Sequence, residues 1–197
     1  MKLLTEGDSF GTRWKVDTAW PDLVQQYFGC VLVNNSVTGS SNKDIIERLR
    51  VSIPEHQPDI VLVILTNQLR DYKKLSTNPL TMISGGDSWT PKQYVRDYLD
   101  HINEILSMHN NVLLIQGVPF FTAKEEIRLE WELQKKNCKA NKDNFIDFGD
   151  DIYNHMYING MVLDELANGH GHPNEKGHQY IAERFINELD KKTLFQN

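Results

Sequence analysis

Apolar residues fall in short runs separated by stretches of helical periodicity, and this alternation continues along the whole chain. Leu3-Leu4 opens it as a minimal strand that closes at Gly7-Asp8-Ser9. A helix is predicted from about Pro21 to Phe28, with Asp17 and Thr18 as capping candidates and Gly29 as its stop. Cys30 to Asn34 reads as a second strand. Ser41-Asn42-Lys43-Asp44 resembles a capping box opening a helix that carries Ile45, Ile46 and Leu49. Asp59 to Leu65 is the strongest strand, apolar at successive positions as parallel strands covered on both faces are. Thr90-Pro91 starts a helix with Tyr94, Tyr98, Ile102, Ile105 and Leu106 on one face. Asn111 to Gly117 forms a fourth strand, residues 123–138 a charged helix, and Asn144 to Phe148 a weaker fifth strand. A last helix begins near Asn174 and turns Ile181, Phe185, Ile186 and Leu189 inward.

Strands that alternate with helices, over connections long enough for right-handed crossovers, predict a three-layer α/β/α sandwich on a five-stranded, mostly parallel sheet. Residues 1–197 read as one domain without repeats or linkers. The polar stretch 66–88 lacks periodicity, and a connection that long in a compact domain reads as a lid or specificity loop. In such sheets ligands bind beyond the carboxyl ends of the strands, so chemistry is to be sought there.

Charge and cysteine content narrow the function classes. Lys plus Arg is 21 and Asp plus Glu is 27, a formal charge of −6, which argues against a general nucleic-acid binder. Lys135-Lys136 and Lys191-Lys192 read as solvated helix faces. Two cysteines, Cys30 and Cys138, are too few for a disulfide framework, and their spacing does not suggest a metal site. No apolar run approaches the roughly 20 residues of a membrane span. The opening Met1-Lys2-Leu3-Leu4-Thr5-Glu6 turns polar too soon for a signal peptide, so a cytoplasmic or otherwise non-secreted protein is expected.

The strand ends carry a set of groups suited to acyl transfer. Gly7-Asp8-Ser9 follows the first strand, Asn34 through Gly39 the second, and Thr66-Asn67-Gln68 the third; His170-Gly171-His172-Pro173-Asn174 precedes the last helix. A serine hydroxyl becomes nucleophilic when an imidazole accepts its proton, which pairs Ser9 with a histidine. The tetrahedral intermediate needs fixed N–H donors. The backbone amides of Ser9 and Gly39 and the side-chain amide of Asn67 are the three candidates.

In order and spacing these blocks resemble the SGNH (GDSL-like) hydrolase superfamily, over nearly the whole chain. The resemblance implies a flavodoxin-like SGNH fold and a serine esterase. Ser9 would be its nucleophile and His172 its general base; Ser9, Gly39 and Asn67 would form its oxyanion hole. It implies no cofactor and no metal, and a small-molecule or carbohydrate ester as substrate. Leu65-Thr66-Asn67-Gln68 departs from the family's Gly-x-Asn-Asp at Leu65 and Gln68. The larger departure is the acid. Where the family has an aspartate two or three residues before the catalytic histidine, this chain has His170 and Gly169. Three readings stand side by side: a backbone carbonyl or Asn168 orients His172; Asp164 swings in from eight residues upstream; or the fold is kept as a catalytically inactive binding or structural module.

Other features compete for attention. Gly86-Asp87-Ser88 repeats the tripeptide with no strand before it, and reads as helix-entry or lid sequence. His170, His172 and His178, with Asp164, have zinc-ligand chemistry. Yet His178 falls more than a turn into the last helix, facing away from residues before its start. A flavin or nucleotide binder would share the layer order, but a phosphate-binding glycine fingerprint is missing. Trp14, Trp20, Tyr27 and Phe28 read as core, with Trp14 alternatively at the mouth of the site. Arg70, Asp71 and Tyr72 read as surface loop or as contacts to a polar substrate.

Overall fold

A computed structural model describes residues 1–66, 90–116, 125–139, 144–146, 155–156, 158–163 and 172–192. In chain order the elements are β1 (Lys2–Glu6), a 3-10 turn (Ser9–Gly11), α1 (Trp20–Phe28), β2 (Val31–Asn34), α2 (Asn42–His56), β3 (Ile60–Leu65), α3 (Pro91–Met108), β4 (Val112–Gln116), α4 (Glu125–Gln134), β5 (Phe145–Ile146) and α5 (Glu175–Lys191). The strands lie in the order β2-β1-β3-β4-β5 and every pairing is parallel. Four strands have full length; β5 adds a two-residue edge. Leu3 sits level with Leu32 on one side and Ile60 on the other, and Val63 with Leu114.

The two-residue period of the strands divides the core. Leu3, Leu62, Ile64 and Ile115 face α1 and α5, where Trp20 and Phe185 pack. Leu4, Val61, Val63, Leu65 and Leu114 face α2, α3 and α4, where Ile45, Tyr94, Tyr98 and Trp131 pack. All six residues of β3 are buried, because helices cover both its faces.

Several boundaries differ from the expectations of the sequence, each for a local reason. β1 continues past Leu4 because Thr5 and Glu6 have polar partners: Thr5 Oγ1 donates to Asn34 Oδ1 at 3.0 Å, and Glu6 pairs with Arg48. α1 is capped at Ala19 rather than at Asp17 or Thr18. Asp22, three residues into the turn, reaches back to accept the Ala19 N–H at 2.9 Å. Ser41, Thr90 and Asn174 cap α2, α3 and α5 as their spacing predicts. Trp20 is core, whereas Tyr27 is exposed. Among the described residues no helix is long and apolar enough to cross a membrane.

Candidate active site

β1 runs out at Glu6, and the chain then tightens into the 3-10 turn that carries Ser9. Asp8 builds this turn. One of its carboxylate oxygens accepts the Phe10 N–H at 2.9 Å, and the other accepts the Thr66 hydroxyl at 2.8 Å. Asp8 therefore ties the serine turn to the end of β3, and it is fully buried while doing so. Asn42, at the start of α2, holds the Thr66 peptide from both ends: its side chain accepts the N–H at 2.9 Å and donates to the carbonyl at 3.0 Å. The residue that follows, Asn67, lies outside the described residues, as does the rest of the expected 66–88 loop apart from Thr66.

The second turn arises where β2 ends. Asn35 N–H continues the ladder to the Thr5 carbonyl at 3.0 Å, and Val37 N–H reaches the Gly7 carbonyl at 3.2 Å. Ser40 N–H then closes on the Val37 carbonyl at 3.2 Å, with Gly39 at φ +81°. That angle at the third residue of the turn is the one glycine adopts without steric cost. Two further contacts join the turns: Asn34 Nδ2 donates to the Gly11 carbonyl at 2.9 Å, and the Thr12 and Thr38 hydroxyls lie 3.5 Å apart. A side chain at Gly11 is excluded, since a Cβ there would sit 2.0 Å from Ser36 Oγ. Among the described residues, the N–H groups of Ser9 and Gly39 donate to nothing.

His172 enters from the start of α5. Its carbonyl accepts the Leu163 N–H at 2.7 Å, and Val162 bridges antiparallel to Pro173. Trp14 stacks on the imidazole with ring centroids 5.2 Å apart, and Phe10, the residue after Ser9, meets it edge-on at 6.4 Å. Half of the Trp14 expectation is thus corrected: this indole is 40% exposed and covers the histidine instead of filling the core. Ser9 Oγ and His172 are not hydrogen-bonded to one another, which is common in unliganded sites whose catalytic contacts tighten on substrate. Asp164, Asn168, Gly169 and His170, where an orienting group was sought, lie outside the described residues. So do Gly86-Asp87-Ser88 and Arg70, Asp71 and Tyr72.

His178 is a correction. It turns inward, where its Nδ1 accepts the Trp20 N–H at 3.2 Å, and it lies close enough to feel the charge of His172. Burial pushes its pKa down to about 4, so the ring is neutral at pH 7 with its proton on Nε2. Asp22 is held below the usual carboxylate range, chiefly by the Arg13 guanidinium, which binds both its oxygens at 2.8 and 2.9 Å. Among the described residues no three His, Cys, Asp or Glu side chains gather as metal ligands.

Glu6 moves the other way. Burial raises its carboxyl to about 7 against the opposing pull of Arg48. The two shifts oppose each other in stability. Stability from the neutral His178 is present above pH 6.5 and is lost as pH falls through about 4. Stability from the protonated Glu6 is present below pH 4.5 and is lost as pH rises through about 7. Each amounts to about 3 kcal/mol, so within the window they share they largely cancel. Urea unfolding between pH 4.5 and 6.5 is expected to show it. Relative to wild type, Glu6→Gln should gain stability as pH rises and His178→Gln should lose it. Differences that do not vary with pH would refute both assignments.

Known proteins share this fold. No family profile matches the chain. By sequence it is 27% identical to the thioesterase 1/protease 1/lysophospholipase L1 of Escherichia coli, across 72% of this chain and 76% of that protein. By structure it matches a member of the lipolytic protein G-D-S-L family from Veillonella parvula, with TM-score 0.59 and 16% identity, over 95% of this chain and 97% of the other. The chain has the fold of GDSL-family hydrolases. A catalytic mutant of an acetylxylan esterase from Geobacillus stearothermophilus shares the fold as well, with TM-score 0.60 and 16% identity over 95% of this chain and 93% of that one. The residues of the site that sequence reasoning missed are Asn42, Thr66 and Arg48. One signal was available: Glu6 is a charged residue inside a strand, and such a residue needs a partner.

Proposed function

We propose that this hydrolase cleaves a carboxylic ester through an acyl-enzyme on Ser9, with His172 as general base. One observation carries the reading: two backbone N–H groups without acceptors among the described residues, on Ser9 and Gly39, stand on turns joined through the Gly7 carbonyl beside the nucleophile. Unspent donors fixed by a rigid scaffold are what a developing oxyanion requires.

Ser9 Oγ attacks the acyl carbon while His172 takes its proton. The carbonyl electron pair moves onto oxygen, where the amides of Ser9 and Gly39 and the side chain of Asn67 receive it. Collapse expels the alcohol, protonated by His172. Water, deprotonated by His172, then attacks the acyl-enzyme and releases the acid. The Trp14 stack limits the tilt of the imidazole; Asp164, Asn168 or a backbone carbonyl supplies the partner for its other nitrogen. The chemistry needs no cofactor and no metal. An O-acetyl group on a carbohydrate is the substrate class we favour, supported by the acetylxylan esterase among the structural neighbours.

Intact-mass analysis after treatment with a fluorophosphonate tests this. The expected result is one adduct, mapped to Ser9 and absent from Ser9→Ala. A protein that stays unmodified under conditions that label a control esterase would instead be a binding module on a hydrolase fold.

A further inference from the structure

Arg48 projects from α2 onto the peptide that links the two turns. Its Nε and Nη2 donate to Glu6 Oε1 at 3.0 and 2.6 Å, and Nη2 also donates to the Gly7 carbonyl at 3.1 Å. Glu6 Oε1 in turn accepts the Gly7 N–H at 3.0 Å. The Gly7 peptide is therefore gripped at both ends, through Glu6 at its N–H and directly at its C=O. That same C=O receives the Val37 N–H. Gly7 stands two residues before Ser9 and Val37 two before Gly39, so one carbonyl oxygen indexes both turns. Glu6 is fully buried, and its second oxygen, Oε2, has no hydrogen-bond partner among the described residues. An arrangement that costs this much desolvation without satisfying all its atoms is seldom chosen for stability alone.

We propose that Glu6 and Arg48 are positioning residues that set the spacing of the Ser9 and Gly39 turns, so that both N–H groups address a single oxyanion. This rests on the ester-hydrolase reading given above. Neither side chain touches substrate in this proposal; both act through the Gly7 peptide. Arg48 is the charged group that bears on Glu6 among the described residues, because Asp8, two residues on, is committed to Phe10 and Thr66. Protonation of Glu6 weakens its hold on Arg48 and loosens the grip, so acidification lowers kcat through geometry. Arg48 also borders an open depression of about 530 Å³ lined by Gly39, Glu47 and Val51, through which a small cation can reach its place.

The test uses the full chain, p-nitrophenyl acetate and four variants. With Arg48→Ala and Arg48→Met, kcat should fall about tenfold to a hundredfold with KM within about threefold, the scale of a misplaced oxyanion donor. Arg48→Lys, which keeps the charge without the fork, should fall between these and wild type. Methylguanidinium should restore at least about threefold in Arg48→Ala and nothing in Arg48→Met, whose side chain fills the space. Glu6→Gln, neutral like the protonated carboxyl, should show at pH 8 the lowered kcat that wild type reaches only on acidification, and so lack the loss of kcat centred near pH 7. The proposal is overturned by a kcat in Arg48→Ala within twofold of wild type, by a loss that methylguanidinium does not relieve, or by superimposable pH profiles for wild type and Glu6→Gln. Failure of fluorophosphonate to label Ser9 in wild type would sink the hydrolase reading instead, and that measurement does not depend on any Arg48 or Glu6 variant.

Discussion

Replacing Ser9 with alanine is expected to lower turnover of a short-chain aryl ester by roughly four to six orders of magnitude and to leave the protein folded. The loss is large because the variant lacks the hydroxyl that attacks the acyl carbon. It is not infinite, because the oxyanion donors would still act on water, a residual of roughly a thousandfold over the uncatalysed reaction. Folding should survive because the turn does not rest on the serine hydroxyl. Gly11 N–H bonds to the Asp8 carbonyl at 3.0 Å, and the Asp8 carboxylate holds Phe10 N–H and the Thr66 hydroxyl. Kinetics with p-nitrophenyl acetate beside circular dichroism of the same sample checks both halves. Activity within tenfold of wild type would place the chemistry on another residue.

The second large effect is on stability. Gly177, in the first turn of α5, lies so close to its neighbours that a Cβ would meet the Met161 carbonyl oxygen at 2.3 Å and Pro173 Cβ at 3.0 Å. That oxygen cannot yield cheaply, because it accepts the Asn174 N–H at 3.0 Å while Met161 N–H is bound to the Met156 carbonyl at 2.8 Å. Gly177→Ala gains about 1 kcal/mol of helix propensity but pushes backbone against backbone. A net loss of roughly 2 kcal/mol is expected, read as a Tm lower by roughly 4–8 °C. The displaced segment includes Leu163, whose N–H holds the His172 carbonyl, so kcat should fall as well. Gly160 supplies the control. It has φ +65° but open space around it, so Gly160→Ala should cost only about 1 kcal/mol of backbone strain. Equal losses in the two variants would show that the crowding at Gly177 is absorbed elsewhere.

What the sequence announces and what it conceals follow from distance along the chain. β3 is legible because six apolar residues in succession suit only a strand covered on both faces. The caps of α2, α3 and α5 are legible because Ser41, Thr90 and Asn174 bond to N–H groups three residues on. Ser9 stands out because a strand precedes its tripeptide, whereas none precedes Gly86-Asp87-Ser88. The ties that hold the site together leave no such period. Asn42 grips Thr66 across 24 residues, Arg48 reaches back 42 to Glu6, and His178 meets Trp20 across 158. Trp14 and His172 share no local pattern either, so their stacking emerges only when α1 and α5 pack side by side. The contact of His178 with Trp20 is not legible because its position in the helix says nothing about which face meets α1.

The ladder between the first two strands extends beyond both of them. Thr5 pairs with Asn34 inside the sheet, and the chain then steps outward in register, Asn35 to Thr5 and Val37 to Gly7, until Ser9 and Gly39 are reached. No slack exists in this zip. One residue inserted or deleted between Asn34 and Gly39 would move the second turn by a full step, about 3.3 Å, and reverse the direction of every group beyond it. Chain length is therefore fixed here as strictly as residue type. Over this segment a homologue that has kept the chemistry must align without gaps.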